Sequence, residues 1–141
     1  MKNKTRLNTP LKSLFYVIFV GLFLSGLFWL LIQCVDLSRY SGASEMAVWL
    51  LKTHGGAAMG SLIVFGWLIP SHLQIGWKKR QNRLPGSLIT AAYLLLALSG
   101  YGLYYFGGET LRSLTVWAHC IIGICFPALL AWHIWMGRKK V

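Results

Sequence analysis

Four histidines, His54, His72, His119 and His133, are the residues of this sequence best suited to chemistry. Each lies in a long apolar run, where an ionisable side chain is costly and is a candidate functional residue for that reason. On an α-helix, at 100° per residue, the 18 residues from His54 to His72 make five whole turns. The 14 residues from His119 to His133 fall about 40° short of four turns. Each pair is therefore expected to share one helix face. Two facing imidazoles at each of two depths suit bis-imidazole ligation of two b-type haems, in which low-spin iron takes one neutral nitrogen from each side. The helical rise puts the two iron centres about 20 to 27 Å apart along the membrane normal. Gly55, Gly56, Ala57, Ala58 and Gly60 follow His54, and Gly123 follows His119 by one turn; such small residues leave room for a flat macrocycle.

The elements that must position these rings are membrane helices. Of the 141 residues 56% are hydrophobic and only 12% are charged, which excludes an ordinary soluble domain. Four runs, at 14–35, 47–77, 88–106 and 114–136, each supply the roughly 20 apolar residues needed to cross a hydrocarbon core of about 30 Å. They are continuously apolar instead of alternating, so helices and not barrel strands satisfy their backbone. The expected fold is all-α, an integral membrane four-helix bundle forming one transmembrane domain over 1–141. The basic start (Lys2, Lys4, Arg6, Lys12) resembles a signal-peptide n-region. The apolar run after it is too long for an h-region and lacks a small-x-small site, so it reads as a transmembrane helix.

The net charge of +11 would suggest nucleic acid in a soluble chain, but its distribution follows the membrane rule, and no nucleic-acid partner is expected. The N-terminal cations, Lys78, Lys79, Arg80 and Arg83, and Arg138, Lys139 and Lys140 fall on one side. Asp36, Glu45 and Glu109, the only acids, fall on the other with Arg39, Lys52 and Arg112. The basic side is cytoplasmic by the positive-inside rule, and both termini lie there. His54 and His119 are then the outer histidines and His72 and His133 the inner ones. Trp49, Trp77, Trp117, Trp135 and the tyrosines at 101, 104 and 105 suit the interfacial belts.

Other chemistry is less well supported. Cys34, Cys120 and Cys125 form no Cys-x-x-Cys-His, so covalent haem attachment is not expected and the cysteines read as small apolar residues. Four histidines at two depths do not converge on one tetrahedral zinc. Haem propionates would find cations in Arg39, Lys52 and Arg112 outside and in Lys78, Lys79, Arg80 or Arg138 inside. An outer quinone site would draw on Glu45, Glu109, Tyr104 or Tyr105. Pro70 is expected to kink the second helix, and Ser44 to cap its start.

This arrangement resembles the small four-helix, di-haem cytochrome b-like membrane subunits of bacterial respiratory complexes. The resemblance rests on Trp117-Ala118-His119-Cys120, Ala131-Trp132-His133-Ile134-Trp135, His54-Gly55-Gly56 and His72, few residues spread over nearly the whole chain. It implies axial ligation of haem b iron by His54, His119, His72 and His133, and electron transfer with a quinone pool. It also implies lipid and other redox subunits as partners, in a multi-pass protein of the bacterial inner membrane. In that family the two histidine intervals are about equal; here 18 residues face 14, an excess of about 6 Å on the second helix. His72 lies beyond Pro70, and a single-haem protein would use His54 and His119. Two other classes remain beside this one: a haem-free anchor or assembly subunit, and a permease with a histidine relay.

Overall fold

A computed structural model of the chain describes residues 9–35, 41–80 and 83–139. Lys2, Lys4, Arg6, Asp36, Arg39 and Lys140, all used in the charge argument, lie outside the described residues. Every regular element among the described residues is helical: α1 (Thr9–Cys34), α2 (Ser41–Leu68), a π-helical turn (Ile69–Leu73), α3 (Gln74–Lys78), α4 (Arg83–Tyr105) and α5 (Glu109–Lys139). Four stretches are long and apolar enough to cross a membrane, Pro10–Cys34, Gly42–Lys78, Arg83–Tyr105 and Glu109–Arg138. The protein is therefore all-α with the expected four membrane-length helices.

The helices start earlier than the apolar runs because the polar residues before each run continue the helix. Ser44 consequently sits inside α2, which begins at Ser41, and does not cap it. Pro85 falls in the first turn of α4, where its missing N–H has no carbonyl to bond in any case. The expected disturbance at Pro70 takes the form of the π turn Ile69–Leu73. A proline inside a helix removes one backbone bond and crowds the preceding turn, and a wider turn relieves the crowding. His72 lies within that turn. Each π turn takes up about one extra residue, so the interval from His54 to His72 is not five regular α-turns. Pro127 interrupts α5 between its two histidines, opposite the carbonyl of Gly123.

The chain forms two compact units, Met1–His72 and Leu73–Val141. In the first, α1 and α2 pair antiparallel: Ser25 meets His54, and Ile18 reaches Gly60. In the second, α4 and α5 pair antiparallel: Ser99 meets His119, Leu96 reaches Gly123 and Tyr93 meets Phe126 with ring centroids 6.4 Å apart. Few side chains are buried. Leu11, Ser25, Ile32, Ala47, Val64 and Leu68 are in the first hairpin, and Pro85, Thr115, Phe126 and Leu130 in the second. Large apolar side chains such as Ile63, Trp67 and Leu98 point outward, at 60 to 76% exposure. In lipid such outward residues need no cover, and helix pairing depends on close packing of small residues and on interhelical hydrogen bonds.

The turn from α4 to α5 closes over Gly102, where a Cβ would lie 2.5 Å from the Phe106 ring. The turn from α3 to α4 is held by Arg83, whose Nε and Nη2 donate to the Trp77 carbonyl at 3.3 and 3.1 Å while the guanidinium lies 5.0 Å from the Trp77 ring centroid. All these groups are exposed. Arg83→Ala is expected to cost about 1 kcal/mol or less, read as a small fall in the detergent melting temperature; an unchanged value would mean that solvent replaces the bonds.

Candidate functional site

In the first hairpin the buried Ser25 hydroxyl bonds its own helix, donating to the Gly21 carbonyl at 2.6 Å. His54, from α2, brings Nδ1 within 2.9 Å of the Leu22 carbonyl and 3.4 Å of Ser25 Oγ. A carbonyl oxygen only accepts, so we assign the ring proton to Nδ1 from the chemistry of its partner. In a neutral imidazole that leaves the lone pair on Nε2. The ring reaches α1 because residue 26 is glycine: a Cβ there would lie 2.8 Å from Cε1 and 3.0 Å from Nδ1 of His54. This is one position in the chain where the absence of a side chain is required by the approach of a neighbour.

The second hairpin repeats the device. Ser99 Oγ lies 3.1 Å from the Leu96 carbonyl one turn back and 2.8 Å from Nδ1 of His119. A hydroxyl has one proton. Donated to Leu96, it leaves the serine oxygen to accept from Nδ1–H, and the lone pair of His119 again falls on Nε2. Gly100 follows the serine, though here a Cβ would stand 3.5 Å from Cε1 of His119, an ordinary contact.

Ser25, Gly26, Ser99 and Gly100 are thus site residues that the pattern of histidines in the sequence did not mark. The signal that marks them is a triplet, Leu24-Ser25-Gly26 and Leu98-Ser99-Gly100, present once in the first long helix of each hairpin. The other two histidines are half-buried. His72 sits in the π turn of the first unit. His133 lies in the second, its Cε1 3.9 Å from where a Cβ on Gly86 would be.

The donor set of His54 and His119 fits an axial role toward haem iron. A ligating imidazole needs a neutral ring with a lone pair, and its other nitrogen is normally held by an acceptor that fixes ring and tautomer. The Leu22 carbonyl meets both conditions at His54, and Ser99 meets them at His119 when its hydroxyl proton goes to the Leu96 carbonyl. Among the described residues no three His, Cys, Asp or Glu side chains converge on a point that would hold a metal ion; two axial ligands do not require such a cluster.

The remaining candidates lie at the surface. Lys52, Arg112, Lys78, Lys79, Arg80 and Arg138 are exposed, with Lys52 4.7 Å from the Trp49 ring centroid. Glu45, Glu109, Tyr104 and Tyr105 are exposed as well, and Tyr105 stacks on Tyr101 at 4.3 Å. An open groove of about 330 Å³ in the second hairpin runs beside Ser99 between Leu95, Leu98, Leu114 and Ile122, and is almost wholly apolar. None of those four acid and tyrosine residues lines it. Cys34 and Cys125 are exposed and Cys120 is half-buried. Comparison with family models, with curated proteins and with solved structures found no match.

Proposed function

We propose that this chain is a b-type cytochrome subunit of a bacterial inner-membrane complex, moving electrons across the membrane between a quinone pool and partner redox proteins. His54 and His119 are its outer axial ligands, and His72 and His133 the ligands of a second haem. The observation that carries this reading is the repeated Leu-Ser-Gly device: in each hairpin the Nδ1 of one histidine is held from the neighbouring helix. Both termini are assigned to the cytoplasm on the basic residues that flank α1, α4 and the end of α5.

Bound haem would supply one-electron chemistry between ferric and ferrous iron. The chain does the rest. Ser25 with the Leu22 carbonyl, and Ser99, keep a proton on Nδ1 and set the ring plane, while Gly26 gives the first ring its depth. The apolar spans exclude water from the imidazoles, so the nitrogen lone pairs do not compete with solvent protons.

One observation favours a second reading. The same hydrogen bonds cross-link the two helices of each hairpin, which is also what a haem-free anchor would use its histidines for. Absorbance separates the two. Protein extracted gently from its native membrane is expected to show a b-type α band in the dithionite-reduced minus oxidised spectrum, with one or two haems per chain by pyridine haemochrome. Two would support all four histidines as ligands, one would support His54 with His119, and colourless protein would establish the anchor.

A further inference from the structure

We infer that Ser99 is a positioning residue that sets the ligand strength of His119, and that Ser25, its counterpart in the first hairpin, has no equivalent control over His54. The inference rests on the reading of these histidines as haem ligands and concerns what lies behind each of them. The two hairpins use the same triplet but not the same acceptor. His54 Nδ1 is closest to a backbone oxygen, Leu22 at 2.9 Å, with Ser25 Oγ further off at 3.4 Å. His119 Nδ1 lies 2.8 Å from the hydroxyl of Ser99 itself.

That hydroxyl is also linked onward. Nδ1–H donates to Ser99 Oγ, and Oγ–H donates to the Leu96 carbonyl at 3.1 Å. Consecutive bonds in one direction polarise one another, more so in a low-dielectric span. Drawing the Nδ1 proton outward increases electron density at Nε2 and makes the ring a better donor to a cation. A stronger donor favours the ferric over the ferrous state and so lowers the midpoint potential. At His54 the same pull comes from the main chain of α1, which side-chain substitution leaves in place. The pair is thus asymmetric: one ring is held by a fixed backbone acceptor, the other by a hydroxyl that mutation can remove or restore.

The test compares Ser99→Ala, Ser99→Thr and Ser25→Ala with the wild type, by haem content and by midpoint potential from redox titration. Loss of an outer-shell partner typically weakens metal binding by about 10- to 100-fold. Ser99→Ala is accordingly expected to lower haem affinity by about tenfold and to shift a midpoint potential upward. Ser99→Thr, which keeps a hydroxyl, should stay near the wild type, and so should Ser25→Ala, which keeps the Leu22 carbonyl. Equal behaviour of Ser99→Ala and Ser25→Ala in protein that carries haem overturns this inference and leaves the cytochrome reading standing. Wild-type protein without haem overturns the cytochrome reading instead. Should Ser99→Ala fail to fold, ¹⁵N NMR of histidine-labelled, dithionite-reduced wild-type protein decides: a proton on Nδ1 of His119 supports the inference and a proton on Nε2 overturns it.

Discussion

His119→Ala and His54→Ala are each expected to remove one haem's worth of the reduced α band, and to remove the same haem. Loss of an outer-shell acceptor weakens metal binding by about 10- to 100-fold, and loss of the ligand itself must exceed that. In protein with two haems the band should fall by half in either variant and no further in the double variant. In protein with one haem it should vanish in all three. His72→Ala and His133→Ala give the complementary result only where a second haem is present. A variant at His54 or His119 that keeps the full haem content would falsify the pairing. Detergent melting curves collected alongside separate ligand loss from unfolding, since removing an intramembrane hydrogen bond costs only about 0.6 to 2 kcal/mol.

Gly26→Ala and Gly100→Ala should behave oppositely although the two residues occupy the same place in the repeated triplet. At residue 26 a Cβ would come within 2.8 Å of the His54 ring, a distance that real contacts do not sustain. The ring is itself tethered by the Leu22 carbonyl at 2.9 Å, so it must give up that bond or push the two helices apart. Overpacking of this kind costs about 1 to 3 kcal/mol. Gly26→Ala should therefore lower the melting temperature and deplete the haem assigned to His54 in the proposed cytochrome. At residue 100 the nearest ring atom is 3.5 Å away, and a methyl group fits. Alanine is favoured over glycine in a helix interior by about 0.5 to 1 kcal/mol, so Gly100→Ala should leave haem content unchanged and stability equal or higher. Equal responses of the two variants would show that the approach of His54 to α1 is looser than 2.8 Å implies.

The four spans were legible because hydropathy is a local property: a run such as Leu14–Val35 has to be helical in lipid whatever it packs against. Their starts were not, since Thr9, Ser41, Arg83 and Glu109 continue helices into polar sequence that carries no apolar signal. Pro70 marked a disturbance correctly, but not its form. A π turn depends on whether the surrounding helix can widen, and that moves His72 out of the five-turn phase calculated from regular geometry.

The histidines stood out in the sequence on cost alone, since a titratable ring in an apolar span needs a reason to be there. Their partners did not. Ser25 lies in the helix before His54 and Ser99 in the helix before His119, and only the antiparallel register of each hairpin brings serine and ring together. That register is set by which small residues allow close approach, a property of two helices jointly and of neither separately. The sequence by itself determined an all-α chain with four membrane-length helices and four intramembrane imidazoles. The tertiary structure decided which nitrogen of His54 bears the proton, because a tautomer follows from the carbonyl acceptor that faces it, and that acceptor comes from another helix.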